Sequence, residues 1–108
     1  MNDRQLSLLG LARRAGKLAV GMDAAAEALR QGEAALIVLA RDISERTERE
    51  IRQIAGEGQA GILTLPAEMD RIGAAIGKRA GVIAVKDEGF ARKIAALQEG
   101  QEPLCKTE

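Results

Sequence analysis

The chain has 108 residues, of which 46% are hydrophobic, and this amount of apolar material suits one domain with one modest core. Lys and Arg number 16, as do Asp and Glu, so the formal net charge is zero and any electrostatic attraction must be local. Histidine, tryptophan and tyrosine are absent, which removes the commonest general base and metal ligand and most base-stacking side chains. We therefore expect no enzyme, no catalytic residue, no metal and no cofactor.

Targeting features indicate the cytoplasm. The single cysteine, Cys105, cannot form an intramolecular disulfide and suits a reducing compartment. No long uncharged apolar run could span a membrane, and residues 1–5 lack the pattern of a signal peptide. We expect a cytoplasmic protein with no membrane partner and no small-molecule substrate.

Helical and strand patterns alternate along the chain. The first helix is predicted to open at Asn2 and to end at Gly16. Its predicted buried face consists of Leu8, Leu11, Ala12 and Ala15. A short strand over residues 17–20 is followed by an alanine-rich helix over residues 22–31, which Gly32 ends.

The apolar run at residues 35–40 is too short for a helix and is typical of a strand covered on both faces, so we place it at the centre of the sheet. Ser44 is the predicted N-cap of the next helix, and the charge run at residues 41–52 alternates in sign, as on a solvated helix face. The remaining predicted elements are a strand over residues 61–65, a helix from Pro66 to about residue 76, a strand over residues 82–85 and a helix over residues 88–98.

This alternation predicts one α/β domain over residues 1–98. Helices that separate successive strands pack on the faces of the sheet, so helical layers should cover both sides. Residues 99–108 form a polar tail, which we expect to be poorly ordered.

A basic cluster surrounds the end of the first helix and consists of Arg13, Arg14 and Lys17. These cations can neutralise phosphates of a nucleic-acid backbone. Alternatively, they stabilise the negative end of their helix, each by about 0.3–1 kcal/mol. Taken alone, the cluster favours the structural role.

A second candidate site is the turn formed by Gly21, Met22 and Asp23, between a strand and a helix. Backbone amides at a helix N-terminus bind anions, and glycine allows a ligand to approach closely. The alternative is that Asp23 caps the helix, so that its carboxylate occupies the amides that a phosphate would need. The residues alone favour the cap.

The third candidate is the loop before the last strand, made of Lys78, Arg79, Ala80 and Gly81. Comparison with a phosphate-binding loop fails, because the segment follows a helix and Arg79 stands where such a loop has Ser or Thr. We therefore exclude nucleotide hydrolysis. The loop is either a solvated helix end or a second basic surface.

Taken together, several segments resemble the L7Ae/L30e superfamily of ribosomal and kink-turn RNA-binding proteins. They are LARRAGKL at residues 11–18, Gly21, GEAALIVLARD at residues 32–42 and IGAAIGK at residues 72–78. The resemblance covers residues 4–98 and is closest to the small bacterial YlxQ-like branch. It implies a three-layer α/β/α sandwich with a mixed four-stranded sheet.

The resemblance also implies where RNA would bind. In the superfamily, the turn between the first strand and the second helix holds RNA together with the loop before the last strand. On this chain these segments become residues 21–27 and 78–81, which would form one surface. The expected RNA-binding residues are Arg13, Arg14, Lys17, Gly21, Met22, Asp23, Lys78, Arg79, Ala80 and Gly81.

The chain departs from the specific readers of the superfamily, which usually carry Gly-X-Asn-Glu at the first turn and a lysine further along the helix. Here Asp23 keeps an acceptor but lacks amide donors, Ala24 has no polar group and Glu27 reverses the charge. Less specific contacts with the RNA backbone are then expected from five cations, which are Lys17, Arg13, Arg14, Lys78 and Arg79.

We therefore expect a ribosomal-protein-like module that binds structured RNA, with kink-turn and ribosomal RNA as candidate targets. The alternative is a protein-interaction module of the same fold that has lost specific RNA recognition. Ala24 and Glu27 permit this alternative, because they remove contacts on which the specific readers depend.

Overall fold

The computed structural model describes residues 3–56 and 60–100. Helices and strands alternate as the sequence predicts. In chain order they are α1 Asp3–Arg14, β1 Leu18–Val20, α2 Met22–Arg30, β2 Leu36–Leu39, α3 Glu45–Ala55, β3 Gly61–Thr64, α4 Met69–Ile76, β4 Val82–Val85 and α5 Glu88–Gly100.

The strands form one mixed four-stranded sheet in the order β1-β4-β2-β3. β4 is antiparallel to both β1 and β2, whereas β2 and β3 are parallel. Val20 lies opposite Ile83, and Leu39 lies opposite both Val82 and Thr64. Consequently β1, β2 and β3 all end where β4 begins, and the adjoining loops meet at one end of the sheet.

Helices cover both faces of this sheet. Every residue of β2 is buried, and alternate residues serve different cores. Leu36 and Val38 pack with residues of α1, α4 and α5, whereas Ile37 and Leu39 pack with residues of α2 and α3. This arrangement confirms the three-layer α/β/α sandwich and the internal strand that is covered on both sides.

Glycines end the first two helices, as predicted. Gly16 and Gly32 both have a φ of 74°, a left-handed conformation that favours glycine. The N–H of Gly16 donates to the carbonyl oxygen of Arg13 (3.0 Å), and the N–H of Lys17 donates to that of Ala12 (2.9 Å). Backbone groups alone therefore satisfy these last carbonyls of α1.

The buried face of α1 differs from the predicted one. Leu6, Leu9 and Ala12 are buried, whereas Leu11 is 50% exposed and Ala15 is exposed. The prediction is confirmed for Ala12, and Leu8 is partly buried against the core, but it was wrong for Leu11 and Ala15. Leucines stand on several sides of this helix, so that their spacing alone cannot select a face. Packing against α4 and α5 determines which face of α1 is buried.

Helix α4 begins at Met69, not at Pro66 as predicted. The intervening residues 66–68 run beside the chain that leaves β2, since the N–H of Arg41 donates to the carbonyl oxygen of Ala67 (3.0 Å). The side chain of Asp42 then accepts a hydrogen bond from the N–H of Met69 (2.9 Å) and satisfies one of the first amides of the helix. These partners are distant in sequence, so local pattern could not reveal them.

The start of α3 agrees with the prediction, and α5 ends later than predicted. Ser44 is the N-cap of α3 and accepts a hydrogen bond from the N–H of Thr47 (3.1 Å), as predicted. Helix α5 reaches Gly100, so the predicted tail does not begin at residue 99. The remainder of that tail, residues 101–108, and the predicted helix start at Asn2 lie outside the described residues.

None of the helices within residues 3–56 and 60–100 combines the length and apolarity needed to cross a membrane. The same part of the chain holds no group of three or more His, Cys, Asp or Glu placed to bind a metal ion.

The α1–α4 contact generates a stability prediction. A Cβ at Gly10 would lie 2.9 Å from the carbonyl oxygen of Ala75. Replacing glycine with alanine inside a helix normally gains about 0.5–1 kcal/mol. We expect Gly10→Ala to lower the free energy of unfolding by about 1–3 kcal/mol instead, because the backbone of α4 must move.

Urea denaturation measures this effect. Gly61→Ala is the control, because its Cβ would lie 3.6 Å from Leu36 Cδ1, an ordinary contact. The control should be no less stable than the parent protein. A Gly10→Ala variant as stable as the parent would contradict the close approach of the two helices.

Candidate nucleic-acid interface

Backbone hydrogen bonds hold together the loops at one end of the sheet. The N–H of Gly21 donates to the carbonyl oxygen of Val82 (2.8 Å), and the N–H of Ala40 donates to that of Gly81 (2.9 Å). The turn after β1 and the loop before β4 are thus direct neighbours. We call this surface the Gly21 end of the sheet and define it as residues 21–23, 41–44, 66–69 and 78–81.

Gly21 has a conformation that requires glycine. It is the N-cap of α2, with φ 102° and ψ 161°, a region that other residues essentially do not occupy. No described atom outside the adjoining chain lies within 4 Å of the position that a Cβ would take. The turn is therefore constrained by backbone conformation, and its outer side is open to an approaching ligand.

Asp23 does not cap α2, contrary to the prediction. The cap position belongs to Gly21, and Asp23 is already inside the first helical turn. Its exposed carboxylate makes no hydrogen bond or ion pair with the described residues. Consequently Asp23 does not occupy the first amides of α2, and its carboxylate is itself a free acceptor at this surface.

Glu27 is partly neutralised by its own helix. One carboxylate oxygen accepts a hydrogen bond from Gln31 Nε2 (2.6 Å), and the other lies 3.8 Å from Arg30 Nη1. A neighbouring cation reduces the repulsion that an anionic side chain exerts on phosphate. The charge of Glu27 is therefore partly offset within α2 itself.

The loop that carries Lys78 and Arg79 folds back along α4. Gly77 ends this helix, in agreement with the predicted limit near residue 76. It has a φ of 86° and its N–H donates to the carbonyl oxygen of Gly73 (2.7 Å). A Cβ on Gly73 would lie 2.9 Å from the Cα of Arg79. Glycine at this position thus permits the loop to lie directly on the helix.

The second half of the same loop is anchored by packing. Ala80 is buried, and a Cβ on Gly81 would overlap Ile43 Cγ2 and lie 3.0 Å from Met69 Sδ. The side chains of Lys78 and Arg79, by contrast, are exposed. A fixed backbone therefore presents two cations to solvent.

Both arginines at the Gly21 end are paired with carboxylates. Arg79 Nε lies 2.5 Å from Asp70 Oδ1, and Arg41 donates to Glu68 from Nε (3.1 Å) and from Nη2. These side chains are between 46% and 82% exposed. Solvent screens such pairs strongly, so a phosphate can compete for either guanidinium.

The ion pairs shift the ionisation of their members. Hydrogen bonding and charge attraction raise the pKa of Arg41 and Arg79, and the bond from Arg41 lowers the pKa of Glu68. Glu68 is therefore fully charged at neutral pH. Its contribution to stability is lost only as pH falls through the lowered pKa of the folded state.

The net charge of the Gly21 end is small. Within the described part of the chain, Lys78 has no ion-pair partner. Asp23 adds an unpaired negative charge, and Asp42 accepts its hydrogen bond from Met69. Cations and carboxylates thus alternate across the surface, and charge attraction alone gives only modest affinity for RNA.

The structure separates Lys17 from this surface and places Arg13 at the end of α4. Lys17 precedes β1, and its carbonyl oxygen accepts a hydrogen bond from the N–H of Lys86 (2.7 Å), at the opposite end of the sheet from Gly21. Arg13 Nη1 donates to the carbonyl oxygen of Ile76 (3.2 Å) and so meets the negative end of α4. Arg14 lines a groove between α1 and α4.

Sequence reasoning assigned no role to Arg41, which lies at the Gly21 end because β2 ends there. The available signal was its position directly after the apolar run of the internal strand. Without the strand order, however, the sequence could not show that this strand ends beside Gly81. Arg41 therefore joins the candidate interface from the structure alone.

The chain belongs to the ribosomal protein L7Ae/L30e/S12e/Gadd45 family, whose model matches residues 3–95. The RNA-binding protein YlxQ of Enterococcus faecium is 33% identical to it over 97 residues, which is 90% of this chain and 93% of that protein. The RNA-binding protein YlxQ of Bacillus subtilis (strain 168) is 34% identical over 91 residues, which is 83% of this chain and 90% of that protein. The expected superfamily and its YlxQ-like branch are confirmed.

Solved structures agree with this assignment. A protein of unknown function from Bacillus halodurans C has 36% identity and a TM-score of 0.85, with 91% of this chain and 99% of the other covered. The Giardia lamblia 15.5kD RNA binding protein has a TM-score of 0.73 over 94% of this chain and 91% of its own. Its identity of 14% shows similarity of fold alone.

The conformation of Gly21 generates a prediction. We expect Gly21→Ala to lower the free energy of unfolding by about 1–3 kcal/mol, because the added Cβ strains the backbone although it meets open space. Thermal and urea unfolding measure the change, again with Gly61→Ala as control. Unchanged stability would show that the turn can adopt another conformation.

Proposed function

We propose that the chain is an RNA-binding protein that contacts structured RNA through the Gly21 end of the sheet. The observation that carries this proposal is the 2.8 Å hydrogen bond from Gly21 to Val82, which joins the turn after β1 to the loop before β4. Family membership and the RNA-binding relatives support it.

The proposed contacts divide by chemistry. Gly21 and Met22 bring the open backbone at the start of α2 close to the RNA, while Asp23 accepts hydrogen bonds from base amino groups. Lys78 and Arg79 contact phosphates. Ala80 and Gly81 fix the loop that carries these cations.

Arg13, Arg14 and Lys17 have a different place in this proposal. Lys17 lies at the opposite end of the sheet, and Arg13 is already bonded to Ile76, which precedes the 78–81 loop. We assign them to outer phosphate contacts with an RNA that extends along α1. The proposed target is a bent, structured RNA such as a kink-turn, in the cytoplasm and with ribosomal RNA as one source.

Charge removal in the loop tests the proposal. We expect the Lys78→Ala, Arg79→Ala double variant to bind kink-turn RNA at least about tenfold more weakly, with a salt dependence reduced by about 0.7–0.9 per lost phosphate contact. Calorimetric titration at several salt concentrations measures both quantities. Lys93→Ala, an exposed change on α5, is the control.

A matched straight RNA duplex is the control for the kink-turn RNA. The parent protein should prefer the kink-turn RNA over this duplex. Equal and negligible binding of both RNAs at low salt would contradict the proposal. Unchanged RNA binding by the double variant would instead show that residues 78–81 are not part of the interface.

The Asp70–Arg79 pair generates a second prediction. Since Asp70 competes with phosphate for the guanidinium, Asp70→Asn should strengthen binding of the same RNA by about two- to fivefold, the range expected for an exposed pair. Glu88→Gln on α5 is the matched control. Equal or weaker binding by Asp70→Asn would show that Arg79 does not exchange partners.

A protein-interaction role remains the second candidate. The near balance of charge at the Gly21 end favours it, because RNA-binding surfaces are normally much more positive. Under this alternative, the Lys78→Ala, Arg79→Ala variant keeps its physiological assembly intact. Copurification of that assembly with the double variant would discriminate the two functions.

A further inference from the structure

The two edge strands of the sheet differ in how well they are protected from pairing with another chain. β1 is short, and Lys17 stands directly before it. β3, at the other edge, contains neither a charged residue nor a proline. Short length, charge and proline are the usual means by which proteins block an edge strand. The unprotected edge of the described sheet is therefore β3.

The outer side of β3 carries backbone groups that no described strand pairs with. The N–H of Leu65, which follows β3, donates to the carbonyl oxygen of Leu39 (2.8 Å) and so faces β2. Alternate residues of a parallel strand bond to the same neighbour, so Leu63 also faces β2. The N–H and C=O groups of Ile62 and Thr64 then point outward, because β3 is the last strand in the described order.

Helix α3 carries a charged side next to this edge. Four residues at the spacing i, i+3, i+4 and i+7 share that side, and they are Glu45, Glu48, Arg49 and Arg52. The other side of α3 carries Ile54, which packs on the core that α3 shares with α2. Since α3 contacts both α2 and β3, its charged side is turned away from α2 and lies above the outer side of β3.

The order of charges on this side of α3 is self-complementary. When a second α3 lies antiparallel to the first, Glu45 faces Arg52 of the second copy, and Glu48 faces Arg49 of the second copy. Within one chain, Glu45 already lies 3.9 Å from Arg49, and Glu48 lies 2.9 Å from Arg52. Both sets of pairs are compatible, because a carboxylate has two acceptor oxygens and a guanidinium has five N–H donors.

We propose that a second copy of this chain pairs with β3 across a two-fold axis perpendicular to the sheet. This axis sets β3 antiparallel to its copy, with Ile62 opposite Thr64 of the second copy, so that the outward backbone groups bond to each other. The same axis sets the two α3 helices antiparallel. Two separate features, the free strand edge and the charge order of α3, thus fit the same occupant.

The spacing of the elements agrees with this arrangement. Packed helices lie about 8–10 Å apart, which is roughly twice the spacing of neighbouring strands. Because α2 contacts β1 and β4 while α3 contacts β3, the next helix position on this face is the one that α3 of the second copy fills. Exposed ion pairs are weak, so strand pairing supplies most of the affinity and the charges fix the orientation.

The two-fold axis also leaves the Gly21 end uncovered. Because the paired β3 strands run in opposite directions, the Gly21 ends of the two copies lie at opposite ends of the extended sheet. The proposed dimer therefore does not depend on RNA. Sedimentation velocity of the RNA-free parent protein, from micromolar to millimolar concentration, should show a reversible monomer–dimer equilibrium. A protein that stays monomeric over this range would overturn the proposal, whether or not it binds RNA.

A proline on β3 tests the strand pairing. Thr64→Pro removes an N–H that points away from β2, and proline is tolerated on an edge strand at such a position. We expect the variant to raise the Kd of the dimer at least about tenfold, because the hydrogen bond is lost twice in each dimer. Thr64→Val keeps the N–H and should dimerise as the parent does. Circular dichroism establishes that both variants are folded, and equal dimerisation by folded Thr64→Pro would overturn the proposal.

A charge reversal on α3 tests the orientation independently of the strand. Arg49 is exposed, so Arg49→Glu should remain folded. Its like charges across the axis should weaken the dimer at least about threefold at low salt, and adding Glu48→Arg should restore the parent affinity. Lys93→Glu, the same change of charge on α5, is the control. Equal dimerisation by Arg49→Glu and Lys93→Glu would overturn the pairing of the α3 helices.

Discussion

Strand β4 lies between β1 and β2 and is antiparallel to both. This position is the constraint on which the candidate interface depends, because it sets the start of β4 against the ends of its two neighbours. The hydrogen bonds from Gly21 to Val82 and from Ala40 to Gly81 then fix the adjoining loops. Segments that are far apart in sequence, residues 21–23 and 78–81, therefore form one continuous surface.

Glycines allow the segments of this surface to pack closely against one another. Gly21 provides a backbone conformation that other residues do not adopt, while Gly73 and Gly81 allow the 78–81 loop to lie on α4 and against Ile43. The resulting backbone is fixed, and the two arginines upon it are exposed and paired with carboxylates. In the proposed function, affinity for RNA depends on exchanging these carboxylates for phosphates, so salt and Asp70 both control it.

Local patterns were sufficient for much of the fold. The ends of α1 and α2 follow from glycine, and the buried β2 follows from its apolar run, because short-range chemistry determines both. The start of α4 does not follow, since its position depends on bonds between Arg41 and Ala67 and between Asp42 and Met69. Leu11 was likewise predicted to be buried but is exposed, because tertiary packing determines the buried side of α1.

The adjacency of the two candidate loops was predictable from the sequence, but the places of several side chains were not. The resemblance to the superfamily identified both the Gly21 turn and the 78–81 loop, and the fold brings them into contact. Asp23 was expected to cap α2, but its identity as a capping residue type could not show that the N-cap is Gly21 and that the helix begins at Met22. Lys17 was grouped with this surface by sequence proximity, although β1 places it at the opposite end of the sheet.

The location of RNA on the folded chain is the most direct test of this account. Backbone amide resonances of the isotope-labelled protein can be followed by NMR during titration with kink-turn RNA. The account predicts that the largest shifts fall on residues 21–23 and 78–82, with small shifts at Lys17 and Lys86. Shifts centred on Lys17 and Lys86, or on the groove between α1 and α4, would contradict it.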